Sequence, residues 1–251
     1  MQVTPIKTRL VRANECSIET LVAESISELT EKSVVAISSK VVALCQNRVV
    51  DLESIPKSDL IKQEAERYTP DGFNRYGSNF TIINNSLVPA AGIDESNADG
   101  HFVLWPEKPQ SVANDLRAFL CRQYGLEKIG VIIIDSNSLP PMRAGTIGIM
   151  LAHSGFEAIR HLAGTNDLFG RPFKVATSAI GSGLAAAATV AMGEGAERTP
   201  LALIADVPFV SFQDRDPTKE ELSEVYIRPE DDLYAPFFMN APWQPGGNHT
   251  K

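Results

Sequence analysis

The run Ile-Gly-Val-Ile-Ile-Ile at residues 129–134 constrains this chain most. Its β-branched residues follow one another without a polar break, so the segment has no wet face. A strand of that kind is covered by packed layers on both sides. The next residue is Asp135. A carboxylate at the C-terminal end of a buried strand lies where open α/β sheets place their ligands. It is unfavourable to bury without a counter-charge. A divalent cation would supply one and Arg143 another; alternatively, Asp135 caps the segment that follows.

The remainder reads as helices and strands mixed without a strict βαβ repeat. Ile18, Leu21, Val22, Ile26 and Leu29 recur at helical spacing and predict a helix over 17–29. A second helix over 111–124 carries Val112, Leu116, Phe119 and Leu120 on one face, with Gly125 where a helix ends. Residues 183–192 predict an alanine-rich helix closed by Gly193. Ser154 and Glu157 have capping-box spacing, for a helix ending near Gly164. Residues 3–10, 33–37, 174–180 and 201–210 read as strands, 41–50 as extended or turning, and 51–68 as polar helix. Residues 68–85, rich in Gly, Asn and aromatics, read as loop with short strands. No Pro/Gly-rich linker divides the chain. Residues 1–243 are expected to form a single domain, with any two lobes closely joined, and 244–251 a mobile tail.

The formal net charge is −8 over 251 residues, with no basic run. Phosphate neutralisation needs clustered Lys and Arg, so nucleic acid is not the expected partner. An anionic nucleotide is compatible where metal ions bridge it to the protein. Cys16, Cys45 and Cys121 are far apart and form no CxxC, which argues for small apolar packing residues in a reducing cytoplasm. No uncharged apolar stretch reaches the roughly 20 residues of a membrane span, and the N-terminal segment lacks a signal-peptide core.

Two further acidic positions are framed by glycine. In AGIDESN (91–97), Gly92 permits tight geometry, and Asp94 and Asn97 offer oxygen ligands, hydrogen bonds or an Asx-turn. In MGEG (192–195), the glycines beside Glu194 admit a close ligand, or simply end a helix. Hard cations such as Mg²⁺ and Mn²⁺ take carboxylate, hydroxyl and water oxygens. Asp94, Asp135, Ser136 and Glu194 make such a set if the fold brings them together. Lys40, after Ser38 and Ser39, is a phosphate contact or a solvated charge. There is no P-loop, no GxGxxG after a strand and no GxSxG. His153 lines a site or is structural; Trp105 and Trp243 read as packing residues.

In chain order, SSK (38–40), AGIDESN (91–97), GVIIIDSN and RAG (130–137 and 143–145), GTNDLFGR (164–171) and MGEG (192–195) resemble the coenzyme F420-0:gamma-glutamyl ligase family. The resemblance covers residues 3–235 and includes the closing YIRPEDDL (226–233). It implies a mixed α+β fold and a homodimer with the site near the subunit interface. It implies addition of L-glutamate to the carboxylate of a coenzyme precursor, F420-0, through an acyl phosphate. GTP or ATP, two divalent cations (Mg²⁺ or Mn²⁺) and K⁺ would take part. Carried over by position, Asp94 and Asp135 hold one metal, and Ser136 and Glu194 help hold the second. Asn97 contacts the nucleotide, as do Thr8, Arg9, Leu10, Ser39 and Lys40, and Met192, Gly193, Gly195 and Thr199. By charge, Lys40 and Arg143 are the catalytic candidates at the transferred phosphate.

The chain departs from the family pattern at three places. Leu44 or Cys45 stands where a nucleotide-touching Lys is frequent. Ser182-Gly183 stands where an Asp-Glu pair often enters the alanine-rich helix. SLPPM (138–142) replaces the usual sequence after Asp135, leaving Arg143 and Gly145. The metal positions are kept while the surroundings of nucleotide and acceptor differ. The ligase class is therefore expected to hold, with a folate as the alternative acceptor and a non-catalytic nucleotide or metabolite binder as the limiting case.

Overall fold

A computed structural model describes residues 1–138 and 143–250; Leu139, Pro140, Pro141 and Met142 of the altered SLPPM segment, and Lys251 of the tail, lie outside it. The chain opens with β1 (Gln2–Ile6), α1 (Ile18–Ser25), β2 (Val34–Ser38), α2 (Ser39–Cys45) and β3 (Val49–Asp51). Next come α3 (Lys57–Glu64), β4 (Arg67–Tyr68), β5 (Phe80–Ile83), β6 (Ser86–Pro89), β7 (His101–Val103) and α4 (Pro109–Tyr124). The remainder is β8 (Gly130–Ser138), β9 (Thr146–Ser154), β10 (Ile159–His161), β11 (Thr177–Ala179) and α5 (Ile180–Met192), then β12 (Leu201–Ala205), α6 (Lys219–Val225), α7 (Ala235–Phe238) and β13 (Gln244–Pro245).

The principal sheet has the order β1-β12-β2-β8-β9. Its centre is the parallel pair β2–β8, in register from Val34–Gly130 to Ser38–Ile134; the outer pairings are antiparallel. The apolar run is covered on both faces. Val35, Ile37, Val131 and Ile133 enter one core with Leu21, Leu116 and Leu120. Val34, Ala36, Ile132 and Ile134 enter another with Leu184, Ala185 and Ala188 of α5. The two-residue period of a strand sorts one continuous run onto two dry faces. Each such buried Ile or Val contributes about 1.5–3 kcal/mol relative to exposure.

A four-stranded antiparallel sheet, β13-β4-β5-β6, and the ribbons β3–β7 and β10–β11 complete the α+β architecture. After β6 a short 3₁₀ turn, Ala90–Gly92, delivers Asp94 to the C-terminal ends of β2 and β8, where it meets Lys40. Among the described residues no helix is long and apolar enough to cross a membrane.

Several local expectations are corrected. Of residues 41–50, read as extended or turning, Val49 and Val50 are extended in β3, but 41–45 belong to α2, because helix places Val41 and Val42 in the core beside Val35 and Ile37 and so overrides their β-branched preference. The Ser154/Glu157 spacing caps no helix: Ser154 closes β9 opposite Val131, and its hydroxyl bonds Asp216 at 3.1 Å. Of residues 51–68 only Lys57–Glu64 is helical. Beyond Trp243, β13 pairs with β4, and Asn248 N donates to Ala65 O at 3.1 Å.

Candidate active site

Where β2 ends beside β8, the chain turns directly into α2. That turn aims Ser39 Oγ at Asp135 Oδ1, 2.5 Å away, and Lys40 Nζ at Asp94 Oδ2, 2.6 Å away. Lys40 also donates to Ser96 O at 3.0 Å. The second oxygen of Asp135 accepts from Trp105 Nε1 at 2.9 Å. Trp105 reaches it across Gly92: a β-carbon on Gly92, which sits at φ +69°, would lie 2.1 Å from Nε1. The glycine of AGIDESN is thus required by an indole as well as by its backbone angle.

The two carboxylates are pushed apart electrostatically. Asp135 keeps some exposed surface, yet its carboxyl lies deep among protein atoms. Desolvation raises its pKa; Ser39, Trp105 and Lys40 pull it down without prevailing, and Asp94 adds to the rise. For Asp94 burial also opposes ionisation, but Lys40 and Ser96 outweigh it and hold the group below its ordinary value.

Strand alternation separates the remaining acidic position. Ile133 faces the core containing Trp105, and Ile134 faces the core containing α5. Asp135 continues the first side and Ser136 the second. On that second side Thr146, paired with Ser138 at the start of β9, donates to Glu194 Oε2 at 2.9 Å. After Gly193 ends α5, the 193–199 turn is tied down by Asn97 Nδ2 to Gly195 O (3.0 Å), Thr8 N to Arg198 O (3.0 Å), and the Thr199 hydroxyl to Met192 O.

These features share one cleft of about 860 Å³, within the range of small-molecule sites. It is lined by Thr8, Arg9, Leu10, Lys40, Asp94, Asn97, Asp135 and Ser136, and by Met192, Gly193, Glu194, Gly195 and Thr199. Two residues singled out from sequence are placed otherwise. Ser39 is buried beneath the cleft with its hydroxyl on Asp135. Arg143 is exposed in the stretch leading into β9 and does not line the cleft formed by the described residues. Leu44, one of the departures, lines it, whereas Ser182 and Gly183 are exposed on the first turn of α5. His153 lies elsewhere, fully buried against Phe156 with ring centroids 5.4 Å apart. The sequence reads Trp105 as a packing residue, which its place in the core bears out, but gives no sign of its bond to Asp135, and it does not single out Thr146. Trp105 has no local spacing signature, and Thr146 gains its meaning only through the β8–β9 register.

The donor set suits a hard cation that arrives with its ligand. Among the described residues no three Asp, Glu, His or Cys groups close on one point, so a metal cage built from protein alone is not present. Mg²⁺ ordinarily takes one or two carboxylates and completes its octahedron with water and phosphate oxygens. A desolvated carboxylate beside a second one, with hydroxyls and Glu194 along the same cleft, fits that pattern.

The family model described as F420-0:Gamma-glutamyl ligase matches residues 5–206. A protein of Methanopyrus kandleri named coenzyme F420:L-glutamate ligase is 36% identical over 196 residues, covering 72% of this chain and 77% of its own. One of Methanococcus maripaludis with the same name is 31% identical over 252 residues, covering 93% and 97%. Another, of Methanosarcina barkeri, is 30% identical over 192 residues, covering 70% and 74%.

Proposed function

Since the chain belongs to the F420-0:gamma-glutamyl ligase family, we propose that this amide-forming ligase joins L-glutamate to the carboxylate of coenzyme F420-0, using a nucleoside triphosphate. The observation that carries the reading is the convergence of Lys40, Asp94 and Asp135 at the paired ends of β2 and β8, beside the 193–199 turn.

The acceptor carboxylate attacks the terminal phosphorus, and the bond to the nucleoside diphosphate breaks. The glutamate amine then attacks the acyl phosphate carbon, loses a proton, and expels inorganic phosphate. Lys40 leaves Asp94 and carries its ammonium to the transferring phosphoryl group. Arg143 is its second cationic candidate. The 193–199 turn, Thr8, Arg9, Leu10 and Asn97 orient the nucleotide, and Leu44 and Met192 give the cleft apolar walls that limit water at the acyl phosphate. Asp94 with Asp135, and Ser136 with Glu194, would hold divalent cations, which supply charge neutralisation for the phosphates alongside K⁺.

A homodimer agrees with the long β10–β11 connection. Leu168, Phe169 and Val175 are 98%, 88% and 93% exposed, and apolar side chains so placed suit cover by a second copy. Sedimentation at micromolar concentration should give twice the chain mass.

The deciding experiment is mass spectrometry after incubation with glutamate, GTP or ATP, Mg²⁺ or Mn²⁺, K⁺, and either F420-0 or a reduced folate. A glutamyl increment on F420-0 is the expected result. An increment on folate alone would reassign the acceptor, and none on either would remove the ligase reading.

A further inference from the structure

The cleft lining combines two chemically different groups of residues. In one group, Thr8, Asn97 and the 193–199 turn gather backbone and amide groups. The other consists of Ser78, Pro89 and Ala90, and Asn137 at the end of β8 reaches Leu87 O of β6 at 3.4 Å. Flanking the lining residue Ser78 in the chain, the β4–β5 segment presents Phe73, Tyr76 and Phe80, which are 45%, 77% and 39% exposed. Phe80 pairs with Pro89, a lining residue, in the β5–β6 ladder. Phe73 stands edge-on to Phe80 with centroids 6.2 Å apart. The Arg75 guanidinium lies 4.7 Å from the centroid of the Tyr76 ring.

This loop is braced from within. Asn79 is buried and donates to Thr69 O at 2.7 Å and to Asp71 at 3.0 Å. Asn74 Nδ2 bonds Ser78 O, and its Oδ1 accepts from Tyr76 N at 2.9 Å. A braced loop that leaves aromatic faces in water gains little folding energy from them. Such faces suit flat ligand surfaces, where ring stacking is tolerant of detail.

We propose that Phe73, Tyr76 and Phe80 form the ring-binding platform of the acceptor subsite: a flavin-like ring stacks there while the acceptor's carboxylate arm passes Ser78 toward Lys40 and Asp94. Arg75 adds a cationic plane to the same surface. The assignment rests on the ligase reading for the direction in which the acceptor lies, and on the loop geometry for its position.

The test uses the full chain and two readouts. Quenching titration with a deazaflavin ribitol that lacks phosphate and carboxylate should show binding to the wild type. In the Phe73→Ala/Phe80→Ala variant its Kd should rise about ten-fold or more. Steady-state ligation by the same variant should show a similar rise in acceptor KM, with the nucleotide KM unchanged. Tyr76→Phe, which keeps the ring, should behave as wild type. Wild-type affinity for the chromophore in the double variant overturns the platform. So does a parallel rise in nucleotide KM, or a shift of the variant from dimer to monomer on sedimentation, which would assign these faces to a second copy. If the wild type makes no glutamyl product yet binds the chromophore in a loop-dependent way, the ligase reading falls and the platform stands.

Discussion

Asp135 sits in a poor place for a charge. Its carboxyl is desolvated, Asp94 repels it, and two neutral donors plus a nearby Lys40 only partly compensate. Because its pKa is raised on folding, the ionised group lowers stability at neutral pH. Asp135→Asn should relieve this. The amide oxygen can keep the Trp105 bond, and Ser39 can accept from the amide, since a hydroxyl serves in either role. We expect unchanged or higher melting temperature, roughly 2–4 °C for each kcal/mol regained in a protein of this size, with ligation reduced by about a hundred-fold or more. Calorimetry and the product assay check it together; lower stability with full activity would contradict the account. Lys40→Ala should separate the same quantities differently. Its side chain is 27% exposed and its partner Asp94 47%, so the ion pair contributes only about 0–1 kcal/mol. Turnover should nevertheless collapse while the melting temperature barely moves.

Helix α5 owes its closeness to the sheet to missing side chains. A β-carbon on Gly148 of β9 would come within 2.0 Å of Thr189 Oγ1 and 2.4 Å of Ala185 O, and one on Gly181 within 2.5 Å of Met150 Sδ. The helix also carries Met192 and the turn bearing Glu194 to the cleft. Gly148→Ala should therefore force α5 outward, costing about 1–3 kcal/mol as overpacking does, and weaken nucleotide binding along with stability. Denaturant titration and a nucleotide Kd would show it; a loss in one without the other would mean that α5 does not position the turn. How legible the elements were follows from the range of their causes. The β8 run, the apolar face of 111–124, the first two turns of the helix expected over 17–29, which stops at Ser25 with Ile26 extended, and the alanine-rich helix announce themselves because each depends on its own spacing. Residues 39–45 did not, since a Val-rich segment is helical only when a particular core receives it. The Ser154/Glu157 pattern misled because β9 pairing claims Ser154 first. At the cleft, glycine-framed Asp94 and Glu194 and strand-end Asp135 were readable locally, whereas Trp105 acts on Asp135 from 30 residues away, beyond any spacing rule.

At the scale of the molecule, the two cores flanking the main sheet meet acid differently because His153 is sealed inside. Its ring is 1% exposed, its Nδ1 lacks a hydrogen-bond partner among the described residues, and burial pushes its pKa down from 6.5 to about 4, with Glu221 opposing only weakly. Below pH 6.5 the unfolded chain takes up a proton that the folded chain refuses, so stability falls with pH between about 6.5 and 4. The slope is about 1.4 kcal/mol per pH unit, which gives roughly 2 kcal/mol lost between pH 6.5 and 5 from this one ring. Glu221 acts in a lower window. Arg215 holds it down to about 2, so its contribution is present above 4.5 and is lost as pH falls toward 2. That contribution is smaller, because its partner is 48% exposed. Asp135 has the opposite sign and eases as it gains a proton. Urea unfolding at pH 7 and pH 5 should therefore show a clear loss in the wild type and a flattened dependence in His153→Leu, which removes the titrating ring from an apolar pocket. An equal slope in both proteins would place the acid sensitivity elsewhere, in the carboxylate pairs at the rim of the cleft.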